Sequence, residues 1–142
     1  MVADPTGAIV ILWQPLKHHG ACLVKEHSTT SWNELVTNDV GAAMGFYSVL
    51  LGWSGEPMGD SGLVGVRHAG SGGIIGSVTS ASEGVVSHWS VYFAVDDCDA
   101  IVRHALRFGG RVVVPAADMT SGRAAQLADK HGVIFWVMDC GY

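Results

Sequence analysis

The hydrophobic pattern of the chain contains the same succession of elements twice. The segments Ser31 to Thr37 and His88 to Val95 alternate their side chains between two faces, which predicts a strand in each. Apolar positions at helical spacing follow each segment and predict a helix that packs one face against the strands. These positions are Val40, Ala43, Met44, Tyr47 and Leu51 in the first copy and Cys98, Ile101, Val102, Ala105 and Phe108 in the second.

Acidic residues and glycines mark the ends of both helices. Asp39 and Asp96-Asp97 precede them and predict N-caps, whereas Gly52 and Gly109-Gly110 follow them and predict stops. The residues that recur at an offset of 58 are Asp39, Ala42 and Gly52, which match Asp97, Ala100 and Gly110. We therefore expect two similar helices on one side of similar strands.

A longer repeat relates the two ends of the chain. The segment from Ala3 to Val10 reads ADPTGAIV, and the segment from Ala128 to Phe135 reads ADKHGVIF, at an offset of 125 residues. Both contain an Asp-x-x-Gly turn followed by an apolar run that is typical of a buried strand. The first copy predicts a strand over Ala8 to Trp13, lying along its own unit or exchanged with a neighbouring subunit, because an exposed strand edge invites pairing.

Two other segments interrupt the regular pattern. Pro15 to Thr30 has no sustained periodicity and predicts a surface connection. The glycine-rich run from Gly59 to Gly76 is broken by the apolar pairs Leu63-Val64 and Ile74-Ile75. That composition predicts tight turns between short strands.

Composition and charge narrow the functional classes. A chain of 142 residues with 49% apolar side chains can form one compact domain without disulfides. A formal net charge of -5 with only eight Lys and Arg residues argues against a nucleic-acid partner. No apolar run of 18 residues and no secretory leader is present, so we expect no membrane partner and a cytoplasmic location.

The cysteines and histidines do not predict a metal site. Cys22, Cys98 and Cys140 are an odd number without paired spacing, which indicates reduced thiols. His18-His19 and His27 lie in the predicted surface connection without the spacing of metal ligands. We therefore interpret these histidines as surface residues.

Six groups of residues, in their order and spacing, carry a family resemblance. They are Trp32 to Asp39, Phe46-Tyr47, Leu51-Gly52-Trp53, Tyr92 to Asp97, Gly109 to Val112, and Gly122-Arg123 with Ala128-Asp129. From about Ser31 to Met138 the chain resembles the vicinal oxygen chelate (VOC) superfamily, which includes glyoxalases, bleomycin-resistance proteins and extradiol dioxygenases. Within it, the chain is most similar to glyoxalase-like proteins that carry two such units in tandem.

The resemblance implies an α+β fold of paired βαβββ modules, in which a curved mixed sheet surrounds a cavity and the helices lie outside. Residues 1–27 would then form an extra strand and a connecting loop, like the end of a preceding unit, and residues 28–142 the VOC domain. Strand alternation assigns the side chains to faces. The side chains expected in the cavity are Trp32, Glu34, Val36, Ser90, Tyr92 and Ala94, and those expected to face the helices are Asn33, Leu35, Thr37, Val91, Phe93 and Val95.

The positions that hold metal ligands in the superfamily hold other residues here. Two ligand histidines correspond to Trp32 and Ser90, and the ligand glutamate corresponds to Trp136. The fourth position lies near Gly73 to Ser77, where Ser77 is only a weak ligand. Catalytic zinc sites use three protein ligands, so we predict no metal and no cofactor.

The expected cavity lining is an aromatic box around one carboxylate, a setting that suits a planar, hydrophobic or cationic small molecule. The residues assigned to ligand binding are Trp32, Glu34, Ser90, Tyr92 and Trp136, with Trp89 at the rim, His68 or Arg67 from a neighbouring strand, and Arg123. Arg123 is open to three interpretations: a partner of the carboxylate, an anion contact, or a solvated side chain. The rings could also simply fill the interior of the sheet.

Glu34 is the candidate catalytic residue. A lone carboxylate among aromatic rings can act as a general base or acid. It could equally be a structural group, paired with Arg123 or Arg67 or hydrogen-bonded to Tyr92.

Three functional hypotheses follow: a metal-free small-molecule binding protein, an isomerase or lyase in which Glu34 moves a proton, and a non-catalytic structural module. We favour the binding protein. We also expect a homodimer to whose contact the first strand contributes.

Overall fold

The computed structural model describes residues 1–18, 20–139 and 141. Two helices and ten strands form in this part of the chain. In chain order they are β1 (Val2–Ala3), β2 (Ile9–Val10), β3 (Thr30–Thr37), α1 (Val40–Leu51), β4 (Trp53–Pro57), β5 (Val64–His68), β6 (Ile74–Ser80), β7 (His88–Ala94), α2 (Cys98–Arg107), β8 (Arg111–Met119), β9 (Gly122–Ala128) and β10 (Ile134–Asp139). The predicted α+β class is confirmed.

The chain divides into two compact units, the first formed by residues 1–18 and 33–89 and the second by residues 19–32 and 90–142. Each unit contains the succession βαβββ. The strand order is β4-β5-β6-β3 in the first unit and β8-β9-β10-β7 in the second. The β3–β6 and β7–β10 pairs are parallel, whereas the other pairs within these sheets are antiparallel. The repeat predicted from the sequence is therefore a repeat of topology.

The predicted helix ends are confirmed. The Asp39 carboxylate accepts a hydrogen bond of 2.9 Å from the backbone N–H of Ala42, and α1 ends at Gly52, whose φ of 68° suits glycine. In α2 the N-cap is Asp97. Its neighbour Asp96 instead lies on the surface, where its backbone N–H donates a hydrogen bond of 3.2 Å to His27 Nδ1.

Each helix packs its apolar stripe against its own sheet, with one correction: Phe108, predicted to belong to the second stripe, follows the end of α2 as its C-cap and is 82% exposed. In the first unit the buried residues are Leu35, Val66 and Val78 from the strands, Ala43 and Tyr47 from α1, and Ala8 from the N-terminal segment. In the second unit they are Ala125, Leu127 and Val137 from the strands, Val95 beside β7, and Cys98 from α2. Because side chains alternate along a strand, these residues define a helix-covered face in each unit and leave the neighbouring positions on the opposite face.

The N-terminal segment folds as a small copy of the last hairpin. In β1–β2, Val2 pairs with Val10 and Ala3 with Ile9. The residues 125 positions later pair in the same way in β9–β10, with Leu127 opposite Phe135 and Ala128 opposite Ile134.

The two turns also share their hydrogen bonds. The Asp4 carboxylate accepts from the backbone N–H of Thr6 and Ala8, at 2.8 and 3.0 Å. The Asp129 carboxylate accepts from the equivalent groups of His131 and Val133, at 2.8 and 2.9 Å. The repeat seen in the sequence therefore extends to the atoms of the turn.

The strand predicted over Ala8 to Trp13 is shorter in the structure. Strand β2 covers only Ile9–Val10, whereas Ile11, Leu12 and Trp13 lie outside regular structure with half or more of their surface exposed in most cases. The register partners of β2 lie in β1 rather than in the final strand β10, beside which this segment was expected to lie. The predicted short strands between glycine-rich turns are confirmed as β5 and β6.

Both cysteines in the described part of the chain, Cys22 and Cys98, are free thiols, as predicted. Cys140 and His19, which the sequence analysis also considered, lie outside the described residues.

Candidate functional site

The second unit presents an aromatic cluster on the face of its sheet opposite α2. Tyr92 on β7 and Trp136 on β10 are register partners, and their rings stack with centroids 5.3 Å apart and an interplanar angle of 7°. Trp32 packs against the same cluster, together with the buried residues Ala124 and Met138. The structure thus brings together three of the predicted ligand-binding residues.

Ser90 belongs to this face by its position. It precedes Tyr92 by two residues on β7, so strand alternation directs both side chains to one side. Ser90 is buried, with 6% of its surface exposed, as is Tyr92. Trp32 and Trp136 are only partly buried, so they are the rings of this cluster with more surface available to a ligand.

In the first unit, Glu34 lies on the sheet face opposite α1. The Ser77 hydroxyl on β6 donates a hydrogen bond of 2.9 Å to Glu34 Oε2, and the two residues are register partners. Ser77 is 1% exposed. This hydrogen bond holds the Glu34 carboxylate in one orientation. Such an orientation is compatible with a catalytic role and with a structural role. Sequence reasoning treated Ser77 only as a weak metal ligand and missed this pairing.

Arg67 pairs with Glu56 rather than with Glu34. Its guanidinium donates two hydrogen bonds to the Glu56 carboxylate, at 2.7 and 3.2 Å. These hydrogen bonds lower the pKa of Glu56. Both side chains are about two-fifths exposed, so the pair is a surface feature of small energetic weight.

Trp89 does not lie at the rim of the Glu34 face. Its indole N–H donates to the Tyr47 hydroxyl at 3.1 Å, and its ring packs edge-on against Tyr47 and Trp53 on the α1 face. Strand alternation explains this placement, since Trp89 is out of phase with Ser90 and Tyr92. This alternation is visible in the sequence, so the placement of Trp89 could have been predicted.

The Tyr47 hydroxyl has a second partner that the sequence analysis did not identify. It donates to Asp4 Oδ2 at 3.1 Å, so Asp4 both closes the N-terminal turn and binds the side chain of α1. Burial raises the pKa of Tyr47 to about 12. A tyrosine on the core stripe of a helix needs a polar partner for its hydroxyl, which is the signal that could have pointed to Asp4.

Arg123 lies on the α2 face, away from the aromatic cluster of its own unit. Its guanidinium donates two hydrogen bonds to Asp99, at 2.9 and 3.1 Å, and one to Asp118 at 3.0 Å. These bonds raise the pKa of Arg123 and lower that of Asp99. The interpretation of Arg123 as a partner of the Glu34 carboxylate is wrong, since Arg123 belongs to a surface ion-pair network. Neighbouring residues on a strand point to opposite faces, and Ala124 is the one that faces the aromatic cluster.

His68 ends β5 at an exposed turn. Its Nδ1 accepts a hydrogen bond of 3.1 Å from the backbone N–H of Gly70. This interaction fixes the ring within the turn and accounts for the residue structurally.

The donor atoms at the superfamily's ligand positions do not fit a divalent metal ion. The indoles of Trp32 and Trp136 carry N–H donors and no acceptor, and the Ser90 hydroxyl is a weak ligand. No three His, Cys, Asp or Glu side chains within the described residues are grouped as metal ligands would be. The chemistry available to these faces is stacking, hydrogen bonding and proton transfer by a carboxylate.

Comparisons of this sequence with those of known proteins agree with the repeated βαβββ topology. The sequence model of the glyoxalase-like domain matches residues 19–138. The chain belongs to this family. The chain is 42% identical to a protein named "Putative glyoxylase CFP32" (Mycobacterium tuberculosis), over 96% of this chain and 54% of the relative. The "Anthracycline biosynthesis protein DnrV" of Streptomyces peucetius is 40% identical over 96% of this chain and 50% of the relative. The glyoxalase-like chain thus spans about half the length of these curated relatives.

Solved structures share its fold. A methylmalonyl-CoA epimerase from Mycobacterium tuberculosis matches with a TM-score of 0.52 and 18% identity, over 80% of this chain and 88% of the epimerase. An extradiol ring-cleaving dioxygenase from B. fuscum matches with a TM-score of 0.55 and 18% identity, over 78% of this chain and 32% of the dioxygenase. At this identity the likeness concerns the fold alone, and it agrees with the fold that the VOC resemblance implies.

Neither helix in the described part of the chain has the length and apolar character needed to cross a membrane.

Proposed function

We propose that this glyoxalase-like chain binds a small planar molecule, aromatic or cationic, without a metal ion. The observation that carries the proposal is the stacked pair of Tyr92 and Trp136 with Trp32 beside it, on the sheet face that no helix of this unit covers. Ring faces of this kind stack on other aromatic systems and attract cations.

The relatives support an aromatic ligand. One of them is named as an anthracycline biosynthesis protein, and an anthracycline is a fused-ring aromatic compound. The donor atoms at the superfamily's ligand positions support binding without a metal, because two of the three are indoles.

The experiment is calorimetric titration with three probes: doxorubicin, which joins fused rings to a cationic amine, neutral 2-naphthol, and choline. We expect saturable binding of at least one probe and a loss of affinity of about tenfold or more in Trp136→Leu, since stacking contributes roughly 1–3 kcal/mol per ring. The matched control is Phe135→Leu, an aromatic residue of the same strand that packs on the α2 face.

An unchanged affinity in Phe135→Leu together with the loss in Trp136→Leu supports the aromatic face as the binding site. Equal effects of the two variants, or no binding of any probe, would overturn it. The pattern among the three probes then separates stacking from cation recognition.

A second candidate function is an isomerase or lyase in which Glu34 takes a proton from the substrate and returns it to another atom. The hydrogen bond from Ser77 favours this candidate, because it presents the carboxylate in a fixed orientation. The test is product formation from a panel of 2-oxoaldehydes and thioesters. Glu34→Gln should abolish turnover and leave binding intact, whereas turnover that persists in Glu34→Gln rejects this role.

The predicted homodimer and cytoplasmic location also remain proposals. Trp13, which is 56% exposed, is the side chain of the N-terminal segment that we assign to a subunit contact. Sedimentation equilibrium of the Trp13→Asp variant tests this, since a charge at an apolar contact should convert a dimer to a monomer. An unchanged mass would reject the contribution of this segment.

A further inference from the structure

A pocket of about 450 Å³ lies in the first unit, beside α1 and between the N-terminal segment and the sheet. Its aromatic part is formed by Tyr47, Trp53 and Trp89. Tyr47 and Trp53 stack with centroids 5.2 Å apart, and Trp89 packs edge-on against both. This pocket shares no residue with the aromatic face of the second unit proposed above.

The polar atoms of two of these rings are engaged within the protein. The Trp89 indole N–H donates to the Tyr47 hydroxyl, which donates to Asp4. Tyr47 and Trp89 therefore offer a ligand mainly apolar surface. The same chain of bonds fixes the N-terminal segment to α1 and so maintains one side of the pocket.

The rest of the lining is apolar apart from one amide. The other lining residues are Ile9, Val10, Ile11, Leu12, Asn33, Leu51, Val66, Ile75 and Gly76. No Asp, Glu, Lys, Arg or His is among them, and Tyr47 stays neutral at physiological pH because burial raises its pKa to about 12. An ionic ligand would find no counter-charge in this lining, so the pocket discriminates against charge.

A β-bulge shapes the outer edge. The register between β5 and β6 shifts at Val66/Arg67, so Ile75 has no register partner while Gly76 pairs with Val66. Bulges redirect side chains, and Ile75 lines the pocket with 40% of its surface exposed. On the other side, Ile11 and Leu12 are 74% and 47% exposed. A molecule seated here would cover all three side chains.

We propose that this pocket is a binding site for a neutral, fused-ring small molecule with few polar groups, one of which contacts Asn33. The volume lies in the range of small-molecule sites, roughly 300–1,000 Å³, and the lining combines aromatic and aliphatic side chains with a single amide, as such sites do. Burial of the exposed apolar edge supplies the driving force.

The test uses Nile red, a neutral fused-ring dye, and resorufin, an anionic dye of related shape. We expect a saturable site for Nile red in this pocket, and binding of resorufin there at least about tenfold weaker. Ile75→Trp fills the edge of the pocket and should weaken Nile red binding about tenfold or more, and Leu12→Glu should do the same by placing a charge in it.

Two controls isolate the site. Val49→Trp enlarges a residue of α1 that is 91% exposed and does not line the pocket, so its affinity should equal that of the parent chain. In the Trp136→Leu background, which weakens the ligand face of the second unit, Nile red should retain a saturable site that Ile75→Trp or Leu12→Glu then weakens. The failure of the proposed function and the failure of this pocket are therefore distinguishable.

Nile red binding that survives both Ile75→Trp and Leu12→Glu overturns the proposal, as does equal affinity for resorufin or the absence of saturable binding. Binding that falls as the protein self-associates, with a monomer restored by Leu12→Glu, would assign these apolar residues to a contact between copies and would also overturn it.

Discussion

The two units have the same topology but carry their stacked Tyr–Trp pairs on opposite faces. In the first unit Tyr47, Trp53 and Trp89 lie on the face covered by α1, and the other face carries Glu34 with Ser77. In the second unit Tyr92 and Trp136 lie on the face that α2 does not cover. Units with the same strand order can therefore carry different functional groups on the same face. The alternation of side chains within each strand decides which face carries the aromatic rings.

The N-terminal hairpin explains part of this difference. It adds Ala8, which is 1% exposed, to the α1 core and supplies Asp4 as a partner for the Tyr47 hydroxyl. No such segment accompanies α2 in the described residues of the second unit, whose helix face is apolar and includes Cys98, Leu127 and Phe135. The first unit can therefore bury a polar ring beneath its helix, whereas the second closes its helix face with apolar side chains.

The largest predicted effect tests whether the rings of the first unit are structural. Tyr47→Ala removes a side chain with no exposed surface and should lower the free energy of unfolding by about 4 kcal/mol. Trp136→Ala removes a partly exposed ring and should cost about half as much. Urea unfolding followed by circular dichroism measures both. Equal losses would show that the aromatic residues of the two units have the same structural weight and would remove the contrast.

A matched pair of turn residues sharpens the comparison. Asp4→Ala removes the turn bonds to Thr6 and Ala8 and leaves the buried Tyr47 hydroxyl without its acceptor, so we expect a loss of about 2–3 kcal/mol. Asp129→Ala removes the equivalent turn bonds, with no bond from its carboxylate to a helix side chain among those described, and should cost about 1 kcal/mol.

The difference between these two variants has two contributions: the bond to Tyr47, and the 2.8 Å bond that the Thr6 hydroxyl donates to the Asp4 carboxylate, which has no counterpart among the described bonds of the Asp129 turn. In the Tyr47→Phe background the first contribution disappears, because the phenylalanine ring needs no acceptor, so the difference should shrink by about 1 kcal/mol or more. An unchanged difference in that background would assign the whole cost to the turn itself.

The same hydroxyl makes the first unit sensitive to alkali. The pKa of Tyr47 is raised to about 12 by burial, whereas in the unfolded chain it ionises near 10. Between these values the unfolded state binds fewer protons than the folded state, so stability declines as pH rises, by on the order of 2 kcal/mol over the window. This contribution is complete below pH 10 and absent above pH 12.

The measurement is the free energy of unfolding at several pH values from 9 to 12 for the parent chain and Tyr47→Phe. The phenylalanine variant should show a smaller decline by that amount. Parallel curves for the two proteins would mean that other groups cause the alkaline sensitivity.

Sequence patterns predicted the repeated elements because local chemistry determines them. Asp39, Asp97 and Gly52 act at the ends of helices through the backbone within a few residues, so their roles could be read without tertiary contacts. Alternation likewise placed Tyr92 and Leu35 on the correct kinds of face.

Long-range partners were beyond this reasoning. The pairing of Asp4 with Tyr47 joins residues 43 positions apart, and the pairing of Arg123 with Asp99 depends on how α2 packs on β9. Charge and residue type alone could not identify the carboxylate with which Arg123 pairs. The sequence therefore predicted the faces more reliably than the partners on them.

The smallest predicted effect concerns that ion pair and sharpens the distinction between the two faces of the second unit. Arg123→Gln removes exposed bonds to Asp99 and Asp118, so the free energy of unfolding should fall by less than about 1 kcal/mol, and less still in high salt. The pKa of Asp99, which Arg123 lowers, should rise toward that of an ordinary aspartate when followed by NMR titration. Because Arg123 lies on the α2 face, the affinity of the Tyr92 and Trp136 face for its ligand should not change. A loss of affinity in Arg123→Gln as large as that in Trp136→Leu would show that Arg123 contributes to ligand binding, and that the two faces of the second unit are not functionally separate.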